Sequence, residues 1–286
     1  MVTFIAEVSS NHARDLDRCL RFVDTAAEIG CDAAKFQLFR IEDLFAPEIL
    51  SRSETHRQRK AWELPPSFLP AIAERCRSRK IDFTCTPFSL QAVTELAPFV
   101  SYYKIASYEL TWPALIEACA RTRKPLILST GMATGDEIAA GVATFHAAGG
   151  KDLTLLHCVS GYPTPCEEAN LAAIETLRRD HGCPVGWSDH SARAGVVHRA
   201  IHRWGATVVE FHLDLDGKGD EFKTGHCWLP EAAARMIAEV RDGLHADGDG
   251  VKAPMPAEIA DREWRADPSD GLRPFKAVRA TWAAAR

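Results

Sequence analysis

Apolar and polar positions along this chain follow two periods that take turns. Short apolar or β-branched runs stand at 3–8, 32–38, 81–85, 100–105, 124–129, 152–158, 183–187 and 206–212, and each ends in a polar turn. Between them, near 15–29, 66–79, 89–97, 113–122, 134–147, 169–180, 193–204 and 230–243, apolar residues recur every three to four positions. The first pattern predicts strands and the second helices. Near-continuous apolar runs are what a parallel sheet covered on both faces requires. Helix starts are signalled by Thr134 before Asp136 and Glu137, by Asn170 before an apolar stripe, and by Pro230 before Glu231.

Eight strand–helix units running one way imply parallel strands joined by right-handed crossovers, and eight strands close a barrel. The alternative is an open doubly wound sheet, but no GxGxxG follows the first strand, where EVSSNH stands instead. The expected fold is an α/β (β/α)8 TIM barrel over residues 1–245. Residues 39–65, rich in Arg and Glu, read either as a solvated loop or as a lid over the barrel mouth. Residues 246–286, with Trp264 and Trp282, read as a C-terminal extension packing on the barrel or on a partner chain.

Composition then removes whole classes of function. With 34 basic and 39 acidic residues the net charge is −5, so nothing draws nucleic acid or an anionic membrane globally. No apolar run is long enough to span a bilayer, and the start lacks a basic leader. The nine cysteines are scattered singly without a CxxC pair, which argues for small core hydrophobes and against a secreted disulfide framework. A cytoplasmic protein is expected.

Active sites of such barrels sit at the C-terminal ends of the strands. Those ends carry Glu7, Lys35 and Gln37, Thr86, then Lys104 with Ser107 and Glu109. They continue with Ser129, Ser160 and Tyr162, Ser188 with Asp189 and His190, and Glu210 with His212. Lys35 and Lys104 lie inside apolar runs, where an unpaired ammonium is costly. Each needs an anion: a substrate phosphate or carboxylate, or an internal partner such as Glu7 or Glu210. A Schiff-base role for Lys104 is a third reading. His190 and His212 end adjacent strands and could share a divalent metal or be ordinary polar histidines, with Asp189 and Glu210 as supporting carboxylates. A Cys158–His157 nucleophile pair is disfavoured because neighbouring strand residues face opposite ways. The residues alone support a barrel enzyme for a small phosphorylated or carboxylated substrate.

The runs FIAEVSSNH, AAKFQLF, CTPF, KIAS, STGMAT, LLHCVSGYPTP, GWSDHS and GATVVEFHLDLD resemble those of the N-acetylneuraminate (sialic acid) synthase family over about residues 3–230. The resemblance implies a TIM barrel that condenses phosphoenolpyruvate with the aldehyde of an open-chain sugar and releases phosphate. It implies that Lys35, Thr86, Lys104, Ser107, Ser129 and Ser188 hold phosphoenolpyruvate and that Glu7 lies over the reacting carbons. Gln37, Glu109 and Tyr162 would line the sugar site, and His190 with His212 would bind Mn2+ or Mg2+. Against the family pattern, Ser160 replaces an Asn, and Lys223 stands where an acidic sugar contact is usual, leaving Asp220 or Glu221 as substitutes. On this comparison the family's opening hairpin is expected to be missing. Its C-terminal antifreeze-like domain, which brings an Arg to the partner's site, is likewise expected to have no counterpart, and a homodimer would then need another interface. Arg273 is a remote candidate for an anion contact. The acceptor is therefore left as an aldose or other aldehyde. The competing readings are the Lys104 Schiff-base pyruvate aldolase and a non-catalytic subunit served by a partner.

Overall fold

The computed structural model describes residues 2–284. Eight parallel strands close a barrel in chain order: β1 (Thr3–Glu7), β2 (Ala33–Leu38), β3 (Asp82–Pro87), β4 (Tyr102–Ile105), β5 (Leu126–Ser129), β6 (Leu153–Cys158), β7 (Val185–Asp189) and β8 (Val208–His212). β8 pairs back onto β1, with Glu7 beside His212 on one side and Lys35 on the other. The expected (β/α)8 TIM barrel is the fold.

The crossovers are α1 (Leu16–Glu28), a segment of short helices α2 (Ile41–Leu44), α3 (Pro47–Arg52) and α4 (Glu54–Gln58), then α5 (Leu69–Arg79), α6 (Leu90–Leu96), α7 (Pro113–Arg121), α8 (Gly135–Ala147), α9 (Ala173–His181) and α10 (Ala194–His198). A π-helical turn at Arg199–Arg203 extends α10, and after β8 come α11 (Asp220–Lys223) and α12 (Pro230–Ala246). Thr134 caps α8 in a capping box with Glu137, as its position predicts. Asn170 does not cap α9: it sits at φ +42°, and that helix starts at Ala173 without a side-chain cap.

The strand alternation sorts the core into two compartments. Outward residues such as Phe4, Phe36, Tyr103, Leu128 and Phe211 pack against the helices in one large cluster. Inward, Ile5, Ala33, Ile127, Leu156 and Val208 plug the barrel and rest on Tyr102. Gly186 belongs to this plug, because a Cβ there would run into the Val208 backbone and sit 2.7 Å from Leu156. Two residues further along, at Glu7, Lys35, Lys104, Ser129, Ser188 and Glu210, the inward positions turn polar, which is where the site begins.

Residues 39–65 are helical and not a solvated loop. Phe39, Ile41 and Phe88 form a separate cluster, joined by Leu44, Phe45, Leu50 and Trp62, which gives this segment its own apolar anchor. The chain divides into two units, Met1–Leu244 and His245–Arg286. In the second, Trp264 and Trp282 meet edge to face at 6.1 Å while staying largely exposed, and α13 (Lys276–Ala284) is tied by Arg279 to Asp270. No helix among the described residues is long and apolar enough to cross a membrane.

Candidate active site

A cavity of about 760 Å³ opens at the C-terminal ends of the strands. Its floor is built by inward positions one layer above the apolar plug: Lys35, Lys104, Ser129, Ser188 and Glu210, with Ser107 just past β4. Both lysines are almost fully buried, so their charges must be met locally. Lys35 pairs with Glu7 and lies 3.4 Å from Glu210, and Lys104 lies 3.6 Å from the same Glu210 oxygen. The lysines therefore have the internal carboxylate partners that the sequence left open. Two ammonium groups and two carboxylates make a closed charge set.

The members of that set are not equivalent. Burial works against the Lys35 ammonium, but Glu210 and Glu7 outweigh it and hold its pKa above the ordinary value. For Lys104, burial and the repulsion of Lys35 outweigh the attraction of Glu210 and the smaller help of Cys158 and Glu7, so its pKa is lowered. Glu210 stays ionised despite burial because both lysines face it. Its second carboxylate oxygen and the Ser129 hydroxyl are buried with no hydrogen-bond partner. These are unused polar atoms in a cavity floor, which buried groups seldom leave idle.

Glu7 is placed differently from the expectation drawn from the resemblance. Its side chain is fully buried, donated to by Gln37 Nε2 at 2.9 Å and paired with Lys35, so it buttresses two site residues from behind. Thr86 likewise accepts from Lys35 Nζ at 3.3 Å. Ser160 lies behind the Gly131 turn, its hydroxyl buried without a partner. Gly131 is needed there, since a Cβ would crowd Ser160, Ser107 and Cys158. Glu109 lines the cavity, with one oxygen unpartnered, and burial pushes its carboxyl up to about 7.

His190 and His212 lie together, with ring centroids 5.3 Å apart. His190 Nδ1 donates to the Val159 carbonyl at 2.9 Å, and His212 Nδ1 donates to Glu221 at 2.9 Å. With Nδ1 spent in this way, Nε2 is the nitrogen of each ring left to face a metal. The idle oxygen of Glu210 belongs to the same floor, so the donor set suits a divalent cation. Asp189, proposed as a supporting carboxylate, is turned the other way. It accepts from Trp187, Trp228 and Ser191 in the helix layer and is a structural anchor.

In the second half of this wall the sequence offered Glu221 only as a substitute sugar contact and missed His226. Glu221 enters the site from α11, where the Ser9 and Ser10 hydroxyls donate to it, while Asp220 and Lys223 pair with each other in solvent. His226 follows, its ring 4.6 Å from His212, and donor atoms of His212, Glu221, His226 and Cys227 all lie within 4.8 Å of one another. Burial makes the Glu221 charge unfavourable, but the hydrogen bond from His212 and the nearby His226 ring hold the pKa well below normal. Tyr162 lies over this group, 4.2 Å from His190 and 5.0 Å from His226 between ring centroids. For His226, the clustering of acidic and histidine residues in GKGDEFKTGH was the available signal.

Residues 22–252 match the model of the NeuB family. The chain belongs to the NeuB family. It is 38% identical over 257 residues to an uncharacterized protein of Methanocaldococcus jannaschii, covering 89% of this chain and 74% of that protein. It is 32% identical over 273 residues to the N,N'-diacetyllegionaminic acid synthase of Legionella pneumophila, covering 89% of this chain and 76% of the other. Among solved structures, the N-acetylneuraminic acid (sialic acid) synthetase of Leptospira borgpetersenii superposes with a TM-score of 0.81 at 32% identity, over 92% of this chain and 91% of that one. The family's synthases are transferases that form carbon–carbon bonds, and this chain is an enzyme of that kind. It spans about three-quarters of the length of those curated relatives.

Proposed function

We propose that this NeuB-family protein joins phosphoenolpyruvate to the aldehyde of an open-chain sugar, giving a 2-keto-3-deoxy acid sugar and inorganic phosphate. The observation that supports this most is the floor itself. Lys35 and Lys104 rise between the Ser107, Ser129 and Ser188 hydroxyls, beside two histidines with free Nε2 atoms, in one cavity. Phosphoenolpyruvate brings a carboxylate and a phosphate, and Lys104, short of negative charge, gains most from such an anion.

In this reading His190 and His212 hold a divalent cation, and imidazole nitrogen favours Mn2+ over Mg2+. When bound, the cation supplies Lewis acidity toward the sugar aldehyde. The chain's own groups do the rest. The lysines and serines fix phosphoenolpyruvate so that its C3 bonds to the aldehyde carbon, whose oxygen takes a proton. Glu109 is the cavity carboxyl that still holds a proton near neutrality. Water adds to C2, the bond from C2 to the phosphate oxygen breaks, and the lysines stabilise the charge on the leaving phosphate.

The test is phosphate release from phosphoenolpyruvate with Mn2+ and a panel of aldoses, against a chelator control. Acceptor-dependent, chelator-sensitive release is expected. Release without an acceptor, or none with any aldehyde, overturns the reading. The lowered pKa of Lys104 also suits a Schiff base. Borohydride with pyruvate is therefore run alongside, and no trapped adduct on Lys104 is expected.

A further inference from the structure

One charged group in the cavity has no role in the chemistry above. Arg59 follows α4 in the segment between β2 and α5 and lines the cavity mouth. Its guanidinium carbon lies 5.4 Å from the centre of the Phe45 ring and 5.3 Å from that of Trp62. Its Nε is buried and makes no hydrogen bond. Of the other cations in this segment, Arg40 is paired with Glu95, Arg57 with Glu54, and Lys60 with Glu42 and Glu63, while Arg52 lies outside the cavity lining. Asp43, Glu54, Glu42 and Glu63 thus face other cations of the segment, and no ion pair engages Arg59 among the described residues.

Two aromatic contacts hold the plane of a guanidinium while leaving its edge of donors free. Such an edge matches the oxygens of a carboxylate or phosphate in pairs. The floor lysines already have carboxylates in the fold, whereas Arg59 has none, so the mouth presents the uncompensated positive charge. Nothing in the reaction at the floor needs a cation at the mouth. It faces the part of the acceptor that does not react.

We propose that Arg59 sets acceptor choice, selecting an open-chain aldehyde that carries an anionic group, phosphate or carboxylate, at the end remote from the aldehyde. This rests on the condensation reading above and names its substrate class. The experiment compares a neutral aldose, its terminal phosphate ester and its terminal uronic acid as acceptors. Consumption of phosphoenolpyruvate is followed with Mn2+ present in wild-type protein, R59Q and R59K.

The expected result is a kcat/KM at least tenfold higher for an anionic member than for the neutral one, carried by KM and shrinking with added salt. R59Q should collapse that ratio toward one and R59K should keep part of it. Which anionic member leads identifies the group. Equal use of neutral and anionic acceptors by wild-type protein overturns the proposal, as does an R59Q variant that keeps the ratio. The wild-type ratio and its salt dependence decide the matter even if R59Q fails to fold. If no acceptor consumes phosphoenolpyruvate, the condensation reading fails by itself. Calorimetric titration of the same sugars then still tests Arg59: tighter anionic binding lost in R59Q supports it, and equal binding sinks it.

Discussion

The floor and the mouth of the cavity are built on opposite principles. The floor is carried by strand ends, with ammonium and carboxylate groups locked together and almost no solvent. The mouth is carried by short helices and aromatic rings, with a cation left free between Phe45 and Trp62. A strand position cannot change without disturbing its neighbours on both sides, whereas α2–α4 lean on a small cluster of their own. The chemistry is thus fixed in the rigid layer and the choice of acceptor in the adjustable one.

The largest effect separating the two regions should come from E210A. It strips Lys104 of its carboxylate and leaves Lys35 with Glu7 alone. Removing one partner of a buried charge set costs about 3–5 kcal/mol. That corresponds to a melting point lower by on the order of 10 °C, readable by calorimetry. A melting point within a degree or two of wild type would mean that the floor is more hydrated than its burial implies.

Next come the histidines. H190A and H212A should abolish Mn2+ binding, read from free Mn2+ by electron paramagnetic resonance. E221Q, which weakens the hold on His212 Nδ1, should loosen it by about 10–100-fold. If E221Q abolishes binding as the histidine variants do, Glu221 touches the ion itself.

Glu109 offers a milder, pH-dependent test. Its carboxyl titrates near 7, raised from an ordinary 4.5 by burial, so between those values the folded chain keeps a proton that the unfolded chain has lost. Stability from this group is therefore present at low pH and falls as pH rises through 7. E109Q should melt higher than wild type at pH 8, by up to about 3 kcal/mol, and the gain should vanish at pH 4. A gain independent of pH would assign the effect to packing.

The smallest change should come from the mouth. F45L should raise the acceptor KM a few-fold through a looser pocket wall and a less well-held Arg59, with kcat and the KM for phosphoenolpyruvate unmoved. A drop in kcat instead would tie the mouth to the chemical step.

The barrel was legible because parallel strands and their helices advertise themselves by period, and Lys35, Lys104, His190 and His212 by their position at strand ends. What the sequence hid was orientation. Asp189 and Ser188 are neighbours, yet one anchors two tryptophans outside while the other faces the cavity. Glu7 carries a charge suited to catalysis, but Lys35 and Gln37 hold it behind them. Glu221, on the four-residue α11, and His226 just beyond it lie in a segment too short to show a period, and Arg59 sits in a stretch whose charges suggest a solvated surface. In each case tertiary partners far along the chain decide which way the side chain turns.

The segment between β2 and α5 leaves and re-enters the barrel at two points of the same crossover, Leu38 and Leu69. Closing a chain segment between fixed ends costs only slowly more as the segment lengthens. It can therefore be exchanged as a cassette. A relative's segment grafted between those two residues should transplant acceptor preference while leaving the eight strands, and the reaction they support, untouched.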